Sequence, residues 1–556
     1  MSFSGADQIA QALADLEVEH AFGIVSIHNM PIFDAINRLG KTRIIDVRHE
    51  QAGTHAADGY ARASGNIGVM IASTGPGTSN TVTGLYEAMY ASSRVLLITG
   101  QAETAFYGKG VGYVHEAEQQ VPMLATVCRR VESPRNVSQI IPSLHAVVSD
   151  MCSGRAAPGA IEIPVDLQYQ AGDAEAVQRA EFSKLAGGVA LQPEYLADPL
   201  QLEAMATALQ GASRRLIIAG GGVIAANAGA TLTALAERLD APVLTTVDGR
   251  GAISEEHPLA LGNYYDSAGM RQAIANADVT LALGTRFAVG VDGRAASNRP
   301  PGLLLQVDID PKMIGRTHDA DLGLVADAGS ALNGLLAKLE DAVPNDAQFL
   351  DAVQTARDGV RGAMRKRLGG DYARMMDAMR NALPDDGLWV RDTTIAAYNF
   401  GNQLFPVRRA RTSINPSSGA IGPGLPLAIG ATIATGQRTL LLHGDGGFMF
   451  HATELATAAQ YQIPLTVVVM NDAGYGVLRW LQDSRFGRIN ETDLGQVDFA
   501  MMAQSMGVPG QQVQSVDAFE SALALAMRTA GPYLIDVDMA SFAPMELSIM
   551  PKKKNP

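Results

Sequence analysis

Three times along this chain, short runs of Val, Ile and Leu alternate with stretches of helical periodicity, and no other feature restricts the fold so strongly. In the first series residues 43–47, 68–72, 93–99 and 159–165 read as strands, with helices over 52–63 and 79–90. Apolar runs this continuous belong to strands buried on both faces, so helices must cover each side of a parallel sheet. The rhythm resumes at 215–222, 279–283 and 303–309, and again at 388–392, 439–443, 463–470 and 533–537. The expectation is an α/β chain of three tandem doubly wound parallel-sheet domains, spanning 1–185, 186–345 and 346–556. Polar passages near 192–199 and 341–351 are the expected joints. No short-period repeat or low-complexity tract breaks the pattern.

With 556 residues, 47% of them hydrophobic, there is apolar material for several cores. The formal charge of -14 argues against nucleic acid or an anionic membrane as partner. The one basic run, Lys552-Lys553-Lys554, reads as a solvated terminus or as a local anchor for an anionic substrate group. Cys128 and Cys152 sit in no CxxC or Cys/His cluster, which speaks against a disulfide framework or zinc site and for a reducing, cytoplasmic setting. The opening residues lack the basic and apolar regions of a signal peptide. No run of about eighteen apolar residues exists to span a membrane.

The chemistry is concentrated in the third series. A strand runs into Gly444-Asp445-Gly446-Gly447, a helix follows through Glu454-Leu455-Ala456, and the next strand ends at Asn471, 26 residues beyond Asp445. A βαβ unit sets Asp445 and Asn471 at the carboxyl ends of two parallel strands, where ligands collect in such folds. Magnesium takes hard oxygen donors and only a few from protein. Asp445 offers charge, Asn471 a neutral carbonyl, and the glycines let a diphosphate approach the backbone. Gly-Asp-Gly alone is a common turn; the ordered strand, turn, helix, strand and Asn are what give it weight. No GxxxxGK[ST] motif competes, and Gly220-Gly221-Gly222 reads as a strand-to-helix connection.

In this order of pieces the chain resembles the thiamine diphosphate enzymes of the acetolactate synthase, benzoylformate decarboxylase and benzaldehyde lyase group. The likeness makes the three domains pyrimidine-binding, middle and diphosphate-binding, with thiamine diphosphate and Mg2+ as cofactors. It implies the Ala473 carbonyl as third protein ligand of the metal beside Asp445 and Asn471. It extends to Arg48-His49-Glu50 and the helical run Ala56 to Ala63, and gives Glu50 the role of promoting the cofactor's imino tautomer through a hydrogen bond. On its own, a Glu leading a helix is a cap or a solvated residue.

Ser418-Gly419-Ala420-Ile421-Gly422-Pro423-Gly424 resembles the family's pyrimidine loop. There Ile421 wedges the two rings into a bent shape that makes proton abstraction intramolecular, and the Gly419 carbonyl accepts from the exocyclic amine. Thr393 and Thr394 are expected to add donors to the diphosphate, with Gly444, Gly446, Gly447, Tyr475 and Gly476 as further cofactor contacts. Apolar walls favour loss of carbon dioxide, which destroys charge. His28 falls where benzaldehyde lyase-like enzymes carry a histidine, and His115 where many relatives carry Gln; both are expected to exchange protons with the substrate. Ser73, expected beside the cofactor, stands where benzoylformate decarboxylase-like enzymes use histidine, and Leu478 where pyruvate decarboxylase-like enzymes use Glu.

The resemblance implies a 2-oxo-acid decarboxylase and carboligase working through a C2 carbanion and an enamine. Acyloin or 2-hydroxyacyl-CoA lyase activity, acetolactate synthase-like transfer, and a non-catalytic cofactor-binding protein are the alternatives. The middle segments 261–265 and 286–290 depart from the acetolactate synthase pattern, which counts against FAD and that activity without excluding FAD or ADP from the middle domain. A small carbonyl substrate (a 2-oxo acid, 2-hydroxy ketone or 2-hydroxyacyl-CoA) and a homodimer or homotetramer are the expected partners.

Overall fold

The computed structural model describes residues 3–188, 195–288 and 298–546. They form three six-stranded sheets with every strand pair parallel, the expected α/β class. The first contains β1 (His20–Gly23), β2 (Arg43–Asp46), β3 (Gly68–Ala72), β4 (Val95–Gln101), β5 (Arg130–Glu132) and β6 (Gly159–Pro164), in the order β2-β1-β3-β4-β6-β5. The second holds β7 (Arg215–Ala219), β8 (Val243–Thr245), β9 (Ala260–Gly262), β10 (Val279–Leu283), β11 (Leu303–Asp308) and β12 (Leu322–Val325), ordered β12-β11-β10-β7-β8-β9. The third holds β13 (Leu388–Arg391), β14 (Ser413–Ile414), β15 (Thr439–Gly444), β16 (Leu465–Asn471), β17 (Gly510–Val513) and β18 (Tyr533–Asp538), ordered β14-β13-β15-β16-β18-β17.

The central strands are buried along their whole length because helices cover both faces. On one side of the first sheet Ile9, Leu13, Ile36 and Leu144 pack together, and on the other Phe22, Tyr60, Leu85 and Leu97. Each such side chain withdrawn from water contributes about 1.5–3 kcal/mol. The glycines after β7 serve chain approach: a Cβ at Gly220 would lie 2.3 Å from the Gly284 carbonyl oxygen.

Both expected joints prove partly helical. Pro199 opens a helix to Gly211, and the Asp346 carboxylate caps the long helix Ala347–Ala382 through the amides of Gln348 (2.7 Å) and Phe349 (3.2 Å). That helix kinks at Gly369, whose φ of 77° interrupts the helical backbone.

The first and third domains meet through helices Glu50–Ser64 and Gly424–Thr435. A Cβ at Gly430 would lie 1.8 Å from the Ala56 carbonyl oxygen and one at Gly59 2.1 Å from that of Leu427, so the two backbones touch where both residues lack side chains. Among the described residues no helix is long and apolar enough to cross a membrane.

Candidate active site

The expected ligand-bearing turns all lie at the carboxyl ends of the third sheet. β15 ends at Gly444 and passes into a single helical turn, Asp445–Phe448; the helix proper begins only at Glu454. The free amides at this sheet end therefore belong to this one turn and to helix Gly476–Phe486, rather than to one continuous helix after the Gly-Asp-Gly. The glycines are required by packing as well as by approach. A Cβ at Gly444 would lie 2.8 Å from Thr394 Oγ1, and one at Gly446 2.7 Å from the Tyr475 ring.

Asp445 is buried and accepts the Gly474 amide at 2.8 Å. Its carboxyl is pushed upward by burial and by the facing Asp472, which burial also raises despite an Arg479 guanidinium at 3.1 Å. Two buried carboxyls facing one another, with an arginine on Asp472 that it shares with Asp493, form a site short of positive charge, which suits a divalent cation. Asn471 is oriented by Asp536: its amide nitrogen donates to the Asp536 carboxylate at 3.1 Å and to the Val497 carbonyl at 3.2 Å. This leaves the Asn471 carbonyl oxygen toward the 471–473 turn, where the Ala473 amide reaches it at 3.3 Å. Ala473 holds a φ of 55°, a left-handed conformation uncommon outside glycine, at the carbonyl implied as a ligand.

Beside this cradle, Asp392 pins the 418–424 loop, the segment expected to meet the pyrimidine, onto the end of β13. Its carboxylate accepts from the amides of Gly422 (3.0 Å) and Gly424 (2.7 Å). The Thr393 hydroxyl donates to the Ala420 carbonyl at 2.9 Å, so it braces the loop. Gly419, at φ 80°, is exposed with open space around it, and Ile421 is half-buried next to it.

Glu50 is the first residue of its helix, capped by His49, whose Nδ1 accepts the Gln51 amide at 3.1 Å. Asn80 donates to one Glu50 oxygen at 3.0 Å, and there is no room for a side chain at Gly77, where a Cβ would stand 3.3 Å from the other. These contacts lie within the first domain.

Around the same sheet end, His28 is buried with neither ring nitrogen hydrogen-bonded, and its ring centroid lies 5.3 Å from that of His115. Burial and the neighbouring His115 hold His28 below the usual imidazole range; the nearby Val114 carbonyl offsets part of this without reaching hydrogen-bond geometry. His115 is exposed on a loop at φ 61°. Ser73 is buried with its hydroxyl unpartnered. Leu478 is 47% exposed on helix Gly476–Phe486.

Several supporting residues escape a reading by motif. Buried Glu162 in β6 accepts from Gln101 (3.1 Å), Gln120 (2.9 Å), Tyr107 (2.7 Å) and Ser133 (2.7 Å), and so anchors the loop that carries His115. Glu162 and Asp536 share one detectable signal, a carboxylate within an otherwise apolar strand run. Asp472 and Asn80 have no such mark.

A cleft of about 1160 Å³ opens where the three domains meet, reaching from Asp392 and Gly419 to Arg94, Arg155, Arg286 and Arg411. Arg286 stacks 4.3 Å over the Tyr90 ring and donates to its carbonyl at 2.9 Å. Val289 and Gly290 of the middle segment and the lysines 552–554 lie outside the described residues.

Models of the thiamine pyrophosphate enzyme N-terminal TPP binding domain, central domain and C-terminal TPP binding domain match residues 3–124, 202–335 and 395–537. Similar proteins include a probable acetolactate synthase large subunit of Methanocaldococcus jannaschii, 31% identical over 97% of this chain and 93% of its own. A probable 2-ketoarginine decarboxylase of Pseudomonas aeruginosa is 33% identical over 95% of this chain and 93% of its own. The acetolactate synthase isozyme 2 large subunit of Escherichia coli is 30% identical over 96% and 95%.

Proposed function

This chain belongs to the thiamine pyrophosphate enzyme family, and from that premise we propose that it is a magnesium-dependent 2-oxo-acid decarboxylase and carboligase. It is an enzyme of carbon-carbon bond chemistry, and relatives named for acetolactate synthesis and for 2-ketoarginine decarboxylation both bear on the reading. The observation that carries it is the buried Asp445 at the end of β15 beside an Asn471 carbonyl turned to the strained Ala473, with buried His28 and its neighbour His115 as groups for proton transfer.

When bound, thiamine diphosphate supplies a nucleophilic carbon and an electron sink. Asp445, Asn471 and the Ala473 carbonyl would hold the magnesium ion, and the facing Asp472 gives the charge deficit that favours it. Glu50, oriented by Asn80, would hold the proton at the pyrimidine nitrogen. Gly419 and Ile421 would hold the cofactor's pyrimidine half, and Thr394, Tyr475 and Gly476 would offer contacts to its diphosphate. His28 is neutral near pH 7 and can accept or return a proton at the substrate oxygen, with His115 next to it. Ile421 and Leu478 would add apolar surface near the place where carbon dioxide departs, and Leu478, 47% exposed in a single chain, would need a second copy to shield it from water.

The first-domain confinement of Glu50's contacts supports a homodimer or homotetramer in which a second copy completes each site. The exposed Val25, Ile27, Val111 and Val114 around the histidines support the same arrangement. The arginine-lined cleft suits an anionic nucleotide such as ADP or FAD, or the phosphates of a CoA substrate. A cytoplasmic location fits two buried free cysteines.

The test is a panel of 2-oxo acids supplied to the enzyme with Mg2+ and thiamine diphosphate, following carbon dioxide and carbonyl products. Carbon dioxide with an aldehyde or acyloin is the expected result. Acetolactate as dominant product assigns the synthase reaction, cleavage of 2-hydroxy ketones without carbon dioxide assigns a lyase, and cofactor binding without turnover across a broad carbonyl panel assigns a binding protein.

A further inference from the structure

The helix that touches Glu50 at one end holds the third domain's pyrimidine loop at the other. Along Pro76–Ala91, Asn80 meets Glu50, and Glu87 follows seven residues later, about two turns along the same stripe. Glu87 is 1% exposed, an unusual place for a charge, and its ion-pair partner Arg62 is too far to hydrogen-bond it. One of its oxygens accepts the Ser417 amide at 2.5 Å; the other accepts the Ser418 amide at 3.2 Å and the Ser418 hydroxyl. Arg62 stands 3.8 Å away, beyond hydrogen-bond reach, and directs its own donors to the Asn415 carbonyl (2.8 Å) and the Ser417 hydroxyl (3.2 Å). Residues 415–418 are thus gripped on their acceptors by a cation and on their donors by an anion, both from the first domain. Asp248 of the middle domain takes the Ser417 hydroxyl at 3.0 Å.

We propose that Glu87 is a positioning residue that sets where the Gly419 carbonyl and the Ile421 side chain meet the pyrimidine half of the cofactor; this rests on the pyrimidine-loop reading above. The physical case is one of end-fixing. Asp392 holds the downstream end of the loop at Gly422 and Gly424, and Glu87 holds the upstream end at Ser417 and Ser418. Between them Gly419, at φ 80° with open space around it, keeps only its own amide's bond to the Pro416 carbonyl (3.1 Å) and the Thr393 brace on the Ala420 carbonyl (2.9 Å), so its conformation depends on where the two ends are held. Fixing both ends removes the loop's alternatives before the ligand arrives, which strengthens binding by preorganisation. Only a carboxylate suits the place. Three donors converge on two oxygens, a Gln would turn its own N–H groups against a backbone N–H, and an Asp falls a methylene short.

The test separates the two halves of the cofactor. Calorimetry measures thiamine diphosphate and inorganic diphosphate, each with Mg2+, on the wild-type enzyme, Glu87→Gln, Ser418→Ala and Ile421→Ala. Glu87→Gln is expected to weaken thiamine diphosphate about tenfold and leave diphosphate within about twofold, the scale of losing charge-assisted hydrogen bonds. Ser418→Ala, which removes one loop hydroxyl and cannot unfold the helix, is expected to show the same split at about threefold. Equal loss of both ligands in Glu87→Gln, or no split in Ser418→Ala when Glu87→Gln does not fold, overturns the assignment. A split in Ile421→Ala without one in the Glu87 and Ser418 variants overturns the role of Glu87 alone. No split in any of the three overturns the pyrimidine-loop reading beneath it.

Discussion

The first and third sheets share one topology: each places its strands in the order second, first, third, fourth, sixth, fifth. The loops that follow equivalent strands can be set side by side. After the first strand stand His28 in one domain and Asp392 to Thr394 in the other; after the second, Glu50 and the Gly419–Ile421 loop; after the third, Ser73 and Gly444-Asp445. The helices that follow the second strand are the pair that cross at Gly59 and Gly430. On one frame, the proposed function gives the first domain the side chains that move protons and the third the oxygens and amides that hold an anion and a cation. The middle domain differs again: its strands run third, second, first, fourth, fifth, sixth, the dinucleotide-type order, with arginines around the cleft. Topology decides where a site opens, and the loop residues decide what it does.

The sharpest way to break this division of labour is to damage each half alone. Losing an outer partner of a metal site already costs about 10–100-fold, so Asp445→Ala, which removes a candidate ligand, should weaken thiamine diphosphate binding more than about a hundredfold. Glu50→Gln should leave affinity within about threefold and slow exchange of the cofactor's C2 proton by about 10²–10⁴. Calorimetry with Mg2+ and proton exchange followed by NMR read the two quantities separately. If Glu50→Gln lost affinity as Asp445→Ala does, the first domain would be a binding element and the division would fall.

How much of this was legible in the chain follows from the same physics. Central strands such as β3, β4 and β16 are buried on both faces and therefore announce themselves as apolar runs. Edge strands β5, β14 and β17 are short and partly exposed, so runs such as Gln511-Gln512 carry no such signal. β1 is interior but only four residues long, too short to show a period. Asp445, Asn471 and Glu50 could be located because their spacing is tied to strand ends. Asp472, Asn80 and Glu87 act through contacts between segments far apart in sequence, which no local pattern records. Asp392 was visible as a strand terminus, but its work of accepting the Gly422 and Gly424 amides was not.

The equivalent helices also differ in charge, and this gives the division a pH signature. Gly424–Thr435 has no titratable side chain, whereas Glu50–Ser64 buries His55 and Asp58. Burial, and then His451 with its ring 5.7 Å away, push His55 down to about 3. Unfolded, the imidazole gains a proton that the native state refuses, so its contribution is full above about pH 6.5 and is lost as pH falls toward 3. Asp58 is pushed up to about 6 by burial against the pull of Arg62 at 3.8 Å, with Glu87 and Asp248 adding to the rise. Here the native state keeps a proton the unfolded chain releases, so stability falls as pH rises from about 4 to 6. Over that window the two groups oppose each other, each by at most about 1.4 kcal/mol per pH unit. Asp58→Asn should make urea stability climb more steeply with pH, and His55→Gln should flatten or reverse the climb. Unchanged slopes in both variants would show that the titrating groups lie elsewhere.

The smallest effect tests how finely the first domain aims its carboxylate. Asn80 gives Glu50 one hydrogen bond of 3.0 Å, and a bond of this kind contributes about 1 kcal/mol net. Asn80→Ala should therefore lower kcat about fivefold without moving cofactor affinity, since nothing in the third-domain cradle is touched. Asn80→Asp would place a second carboxylate beside Glu50, and like charge disfavours ionisation, so the acid limb of the pH–rate profile should shift to higher pH. A change in affinity with kcat intact would move Asn80 to the binding half of the comparison. A flat response to both substitutions would mean that the crowding at Gly77, and not this hydrogen bond, holds Glu50 in place.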